Sequence, residues 1–100
     1  MDELYAKFLP QFITLARSRV ALAISAAGQR DDAASHTIVR ELHTLAGEAG
    51  LLGLKDVVPL ARDCEQKAKQ LHTSGTEVDA ELLVAALRRL EGIIEGIRRD

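Results

Sequence analysis

Apolar residues recur every three or four positions through most of this chain, and this spacing limits the folds that it can adopt. The repeat runs through successive stretches of the sequence, and no stretch alternates polar and apolar residues as a half-buried strand does. Aromatic residues make up only 3% of the chain, so the expected core is aliphatic. The pattern therefore predicts an all-α protein built from amphipathic helices.

Turn residues and breaks in the apolar pattern divide the chain into a short first segment and four longer helices. An amphipathic segment covers residues 2–9, and Pro10 then opens or bends the next helix. The second predicted helix covers residues 11–28, and the third runs from an N-cap at Asp32 to Gly53. The fourth covers residues 54–71 with Pro59 in its first turn, and the last runs from near Asp79 to the chain end. Short polar loops between such helices predict an antiparallel up-down four-helix bundle, with residues 2–9 as a short N-terminal capping helix.

Length and charge narrow the possible functions. A chain of 100 residues is expected to form a single domain over 1–100 with one modest core. Its 13 basic and 15 acidic residues are interspersed, which leaves no basic surface for nucleic acid. No apolar run is long enough to span a membrane, no signal peptide precedes the helical pattern, and Cys64 is the single cysteine. We expect a cytoplasmic, monomeric domain that binds neither nucleic acid nor membrane.

The stretch ELHTLAGEAGLLG, residues 41–53, places a histidine and three glycines in the third predicted helix. At about 100° per residue, His43 lies roughly 140° and Gly47 roughly 180° from the centre of the apolar face. A side chain at position 47 would lean back toward the imidazole, and a glycine costs about 1 kcal/mol relative to alanine in a helix. We interpret Gly47 as steric clearance that keeps His43 accessible. The alternative interpretations are that His43 is an ordinary solvated surface residue and that the glycines permit close packing between helices.

These residues carry a resemblance to a known family. LHTLAGEAGLLGL, with His43, Leu45, Gly47 and Gly53, resembles the histidine phosphotransfer (HPt) family, and so do FLPQF upstream and LARDCEQKAK downstream. The resemblance covers essentially the whole chain and includes the N-terminal phospho-acceptor domain of chemotaxis-type histidine kinases. It implies that His43 is phosphorylated in a two-component signalling pathway. The last predicted helix has no clear stop before residue 100, which fits an excised kinase domain, and the alternative of a free-standing relay protein stays open.

The resemblance also implies the kind of partner and the absence of cofactors. The expected partners are a receiver domain carrying a phosphoaspartate and the catalytic domain of a histidine kinase. The domain would be a phosphocarrier rather than an independent enzyme. ATP and Mg²⁺ would belong to the partner domains, so no cofactor or metal is expected here.

The chain departs from the family at one charged position. The lysine that the family carries three residues after its histidine is Ala46 here. Because a cation stabilises the charge on a transferring phosphoryl group, another residue is expected to supply it. Arg40, one turn before His43 on the same stripe, is the candidate. Arg62 and Lys69 on the next helix are alternatives that the sequence leaves unplaced.

A carboxylate is expected to orient the imidazole. Transfer to histidine needs a neutral ring nitrogen, and a carboxylate that accepts a hydrogen bond from one nitrogen leaves the other as nucleophile. Glu65, about 70° from the centre of the apolar face on the fourth predicted helix, is the candidate. Its alternative role is an ordinary ion pair with Lys69 at i+4. Glu48 adds a further negative charge close to His43 in the sequence.

Other functions have less support from the residues. His36 and His43 are nearly two helical turns apart, about 10 Å, which is too far for two ligands of one metal ion. No cluster of residues suggests hydrolysis. The strongest alternative is an HPt-like scaffold or inhibitor that binds its partner without carrying phosphate, and Ala46 is the feature that favours it.

Overall fold

The computed structural model describes residues 2–29 and 31–97, which form helices and short loops without a strand. The helices are α1 (Asp2–Ala27), α2 (Asp32–Leu51), α3 (Val57–Ser74) and α4 (Glu77–Ile97). Each helix packs against the next one in the chain, and α4 also packs against α1. The helices therefore surround one core, which confirms the predicted four-helix bundle.

The first helix differs from its prediction. A separate capping helix over 2–9 is wrong, because α1 continues through Pro10. The apolar stripe stays in phase across the proline, with Leu9 half-buried and Phe12 and Ile13 buried, so only a continuous helix packs it on the core. Pro10 itself is exposed, where water can hydrate the carbonyl that loses its helical donor.

The second helix begins at an N-cap one residue earlier than predicted. Asp31, not Asp32, has extended backbone angles, and its carboxylate accepts a hydrogen bond of 2.7 Å from the Ala34 N–H. Asp32 is the first helical residue, where its negative charge interacts favourably with the helix N-terminus.

The last helix also begins earlier than predicted, at Glu77 rather than near Asp79. The Thr76 hydroxyl accepts a hydrogen bond of 3.2 Å from the Asp79 N–H. An N-cap side chain accepts such a bond from the backbone N–H three residues later in the chain. The predicted continuation of this helix over 98–100 lies outside the described residues.

Glycine ends α2 as the sequence predicts. Gly53 adopts a left-handed conformation with φ of 71°, a conformation that would be strained for a residue other than glycine. The Leu54 N–H then donates to the Ala49 carbonyl at 3.0 Å, which satisfies one of the last carbonyls of α2. Because α3 begins at Val57, Pro59 falls in its first turn, where it replaces no helical hydrogen bond.

The core is aliphatic apart from Phe12 and Cys64. Burying one large aliphatic side chain stabilises the fold by about 1.5–3 kcal/mol. Large side chains that are fully buried include Ile38, Leu42, Leu45, Leu83, Leu87, Leu90 and Ile94. The core fixes the faces that α2 and α3 turn toward each other and toward solvent.

Candidate functional site

His43 lies on the outer face of the bundle where α2 meets α3. Its side chain is 73% exposed, and its Nδ1 atom lies 3.5 Å from Oε2 of Glu65 on α3. The Glu65 side chain is only 13% exposed, so the mostly buried carboxylate lies beside a largely exposed imidazole. The distance is longer than that of an ordinary hydrogen bond. With Nδ1 turned toward Glu65, Nε2 is the ring nitrogen left for an incoming group.

The helix surface one turn beyond His43 is bare. A Cβ atom placed at Gly47 meets no heavy atom within 4 Å beyond its own stretch of helix, and one at Gly50 meets only Val58 Cγ2, at 4.0 Å. No close helix crossing therefore requires a glycine at position 47. The open space is on the exposed surface of α2, as the helical angle predicted.

The structure brings one of the three candidate cations to the Glu65 carboxylate. Nζ of Lys69 lies 3.4 Å from Oε2 of Glu65, the same oxygen that faces His43. Glu65 therefore contacts both the imidazole of its predicted role and the lysine of its alternative role. Arg40 is 70% exposed, and its Nε lies 3.8 Å from Oε2 of Glu41. Arg62 is an exposed residue of α3.

Ala46, at the family's lysine position, is a core residue that is only 2% exposed. A lysine here would have to bend its stem out of the core to reach water, because a buried unpaired ammonium is costly. The position that carries the family's cation is therefore part of the hydrophobic packing in this chain.

The charge of Glu48 is compensated on the flank of α2 that faces α1. Arg19 of α1 donates a hydrogen bond of 3.0 Å from Nη1 to Oε1 of Glu41, and its Nε lies 3.5 Å from Oε1 of Glu48. Sequence analysis missed this ion-pair network. The sequence feature that could have predicted the network is the spacing of Glu41 and Glu48. They are seven residues apart and therefore lie on one side of the helix.

The other histidines form a separate contact further along the α2–α3 face. The rings of His36 and His72 lie 5.8 Å apart between centroids, and Nδ1 of His72 is 3.6 Å from Oδ1 of Asp32. Over 2–29 and 31–97, no three or more histidine, cysteine, aspartate or glutamate residues are grouped as a metal ion would require.

Cys64 is a core residue rather than a nucleophile. It is fully buried, and burial raises the pKa of its thiol to about 11, with a smaller contribution in the same direction from the Asp63 carboxylate. The thiol therefore stays protonated and unreactive at neutral pH.

An apolar groove lies between α1 and the C-terminal half of α2. Leu51 is its most exposed member at 84%, and Phe8 and Leu15 are also exposed. An exposed apolar surface of this kind marks a protein-docking site more often than an isolated apolar residue does. The groove is lined by Phe8, Gln11, Phe12, Leu15, Glu48, Leu51 and Leu52.

Comparison with protein families agrees with this fold. Residues 7–99 match the family model described as Hpt domain. The chain belongs to the Hpt domain family. Its function class is therefore histidine phosphotransfer in two-component signalling, and Hpt domains act with receiver domains and kinases. Comparison of this Hpt domain with curated proteins and with solved structures gives no match. None of its described helices has the length and apolar content that a membrane span needs.

Proposed function

We propose that His43 is the phosphoryl acceptor of this Hpt domain and exchanges the phosphoryl group with a receiver aspartate or accepts it from a kinase catalytic domain. The observation that carries this proposal is the exposed imidazole whose Nδ1 faces the mostly buried Glu65 carboxylate. Bare helix surface at Gly47 supports it, since a partner's active site needs that space.

The transfer step follows from the orientation of the ring. The Nε2 lone pair attacks the phosphorus of an aspartyl phosphate, the N–P bond forms as the P–O bond breaks, and the aspartate leaves as a carboxylate. The ring keeps its Nδ1 proton and so becomes positively charged. Glu65 stabilises that charge and fixes the tautomer, which makes it a positioning residue. The reverse step returns the phosphoryl group to a second aspartate.

Partner docking is proposed to position the reacting atoms. The groove between α1 and α2 offers apolar contact area next to the turn that carries Gly47, and such surfaces form the centre of protein interfaces. Arg40, exposed one turn before His43, is a predicted contact to the phosphoryl group or to the partner. ATP and Mg²⁺ belong to the partner's active site in this scheme.

Labelling experiments test the acceptor. The Hpt domain is incubated with candidate histidine kinases and labelled ATP, and separately with labelled phosphorylated receivers. We expect an acid-labile, base-stable label that disappears in His43→Gln. His36→Gln and His72→Gln are matched controls, because both remove an exposed imidazole from the same face, and both are expected to keep the label.

A scaffold or inhibitor that binds its partner without carrying phosphate is the second candidate function. The absence of the family's lysine at Ala46 favours it. Label that persists in His43→Gln, or no label on wild type with a partner shown to bind, contradicts the acceptor proposal. The second result supports the scaffold. Both functions are compatible with a free-standing protein or with a domain of a chemotaxis-type histidine kinase.

A further inference from the structure

We infer that Lys69 is the resident cation of the phosphorylation site, pairing with Glu65 before transfer and with the phosphoryl group after it. The inference rests on the proposed role of His43. It assigns to α3 the positive charge that Ala46 of α2 does not supply.

The geometry places Lys69 next to the imidazole through a shared oxygen. Oε2 of Glu65 lies 3.5 Å from Nδ1 of His43 and 3.4 Å from Nζ of Lys69. The ammonium is therefore within about 7 Å of the ring, which is less than the screening length at physiological ionic strength. Side chains on a helix lean toward its N-terminus, so the His43 ring leans toward the N-terminus of α2. Because α3 is antiparallel to α2, this is also the direction from Glu65 to Lys69 along α3.

The exposures of the two side chains favour a change of partner by Lys69. Its side chain is 54% exposed on a flexible four-carbon stem, whereas the Glu65 side chain is 13% exposed. The lysine can therefore move while the carboxylate stays beside the ring. A phosphoryl group on the exposed ring lies on the solvent side, where the ammonium can reach it.

The balance of charge gives the reason for that change. Before transfer, Lys69 compensates the charge of Glu65. Phosphorylation leaves the protonated ring positively charged beside Glu65, and the phosphoryl oxygens bring new negative charge to the outer side of the ring. The ring then compensates Glu65, and Lys69 is free to pair with the phosphoryl group.

Two other cations of α2 and α3 contact carboxylates other than Glu65. Arg40 contacts Glu41, on the flank of α2 that Arg19 also contacts. Lys67 has both oxygens of Asp63 within 3.0 Å of its Nζ. Lys67 carries the same charge on the same helix without a contact to Glu65 among those that the structure describes, so it provides a matched control.

Phosphoramidate is a suitable probe because it phosphorylates imidazole without a partner protein. Its N–P bond breaks, a new N–P bond forms at His43, and ammonia leaves. The rate of phosphorylation and the lifetime of the product are followed by phosphorus NMR on wild type, Lys69→Gln, Lys69→Arg and Lys67→Gln. Far-UV circular dichroism checks that each variant is folded.

We expect Lys69→Gln to slow phosphorylation by about threefold to tenfold, with a smaller difference at high salt because the cation is exposed. Lys69→Arg should restore most of the rate, and Lys67→Gln should match wild type. If Lys69→Gln only lowers stability, the rate at which the folded protein is phosphorylated and the dependence of that rate on salt should stay as in wild type.

The outcomes separate this inference from the function on which it rests. Normal phosphorylation of His43 with equal rates in wild type and Lys69→Gln overturns the inference alone. A loss in Arg40→Gln with no loss in Lys69→Gln also overturns it and gives the role to Arg40. Failure of wild type to accept the phosphoryl group on His43 overturns the proposed function and the inference together.

Discussion

Gly47 is proposed to provide access to His43 at a cost in helix stability. Because a Cβ at this position meets nothing within 4 Å, Gly47→Ala is expected to raise the free energy of unfolding by about 1 kcal/mol. Gly47→Leu should also fold, since a side chain there projects into solvent. Its leucine would occupy the space beside the imidazole and lower the rate of transfer from a phosphorylated receiver by about tenfold or more.

Gly92 is the matched control for this experiment. It is also an exposed helix-interior glycine at which an added Cβ meets no heavy atom within 4 Å, but it belongs to α4. Gly92→Leu is expected to leave transfer unchanged. Urea unfolding and single-turnover transfer are measured on both variants. Unfolding of Gly47→Leu would show that the glycine serves packing and not access.

The buried thiol of Cys64 is expected to make stability depend on alkaline pH. Burial raises its pKa from 9.0 to about 11, so between these values the unfolded chain binds fewer protons than the folded one. Stability is therefore fully present below pH 9.0 and falls as pH rises toward about 11. Cys64→Ala should show a smaller fall over this range in urea unfolding. Equal falls in both proteins would contradict the assignment.

At the scale of the element, the first turn of α2 depends on one carboxylate. Asp31→Ala removes the acceptor of the Ala34 N–H and is expected to lower the free energy of unfolding by about 1 kcal/mol. Asp32→Ala, the neighbouring control, should cost less, because Asp32 is 88% exposed and forms no cap. Chemical denaturation followed by circular dichroism gives both values. A larger loss in Asp32→Ala would place the cap at Asp32, as the sequence pattern indicated.

The α2–α3 pair is the element on which the site depends. His43 comes from one helix, and Glu65 and Lys69 come from the other, so the site forms only when the two helices have the correct register. A slide of one turn, about 5.4 Å, would move the carboxylate away from the ring. The core residues that hold this register therefore also hold the site.

At the scale of the whole molecule, all four helices share one core and should unfold together. Leu83 is fully buried and its neighbour Leu82 is 49% exposed. Leu83→Ala is expected to lower the free energy of unfolding by about 2–5 kcal/mol, and Leu82→Ala to change it by about 0.5 kcal/mol or less. Urea unfolding followed by circular dichroism measures both, with calorimetry as the test of two-state behaviour. Similar losses in the two variants would contradict the packing of α4.

The amino-acid sequence by itself determined the four-helix bundle, the faces that its helices bury and the family. Each of these follows from local information, because the angle of a residue around its own helix axis depends only on its position in the chain. His43 and Gly47 could be placed on the exposed surface of α2 in this way, and the pattern around them was sufficient to recognise an Hpt domain.

Only the tertiary structure decided which side chains meet between helices. The contact of His43 and Lys69 with one oxygen of Glu65, the bridge from Arg19 to Glu41 and Glu48, and the continuity of α1 all depend on how neighbouring helices rotate and slide until their side chains interlock. That register is set by packing from both helices at once, so the periodicity of either helix alone does not contain it.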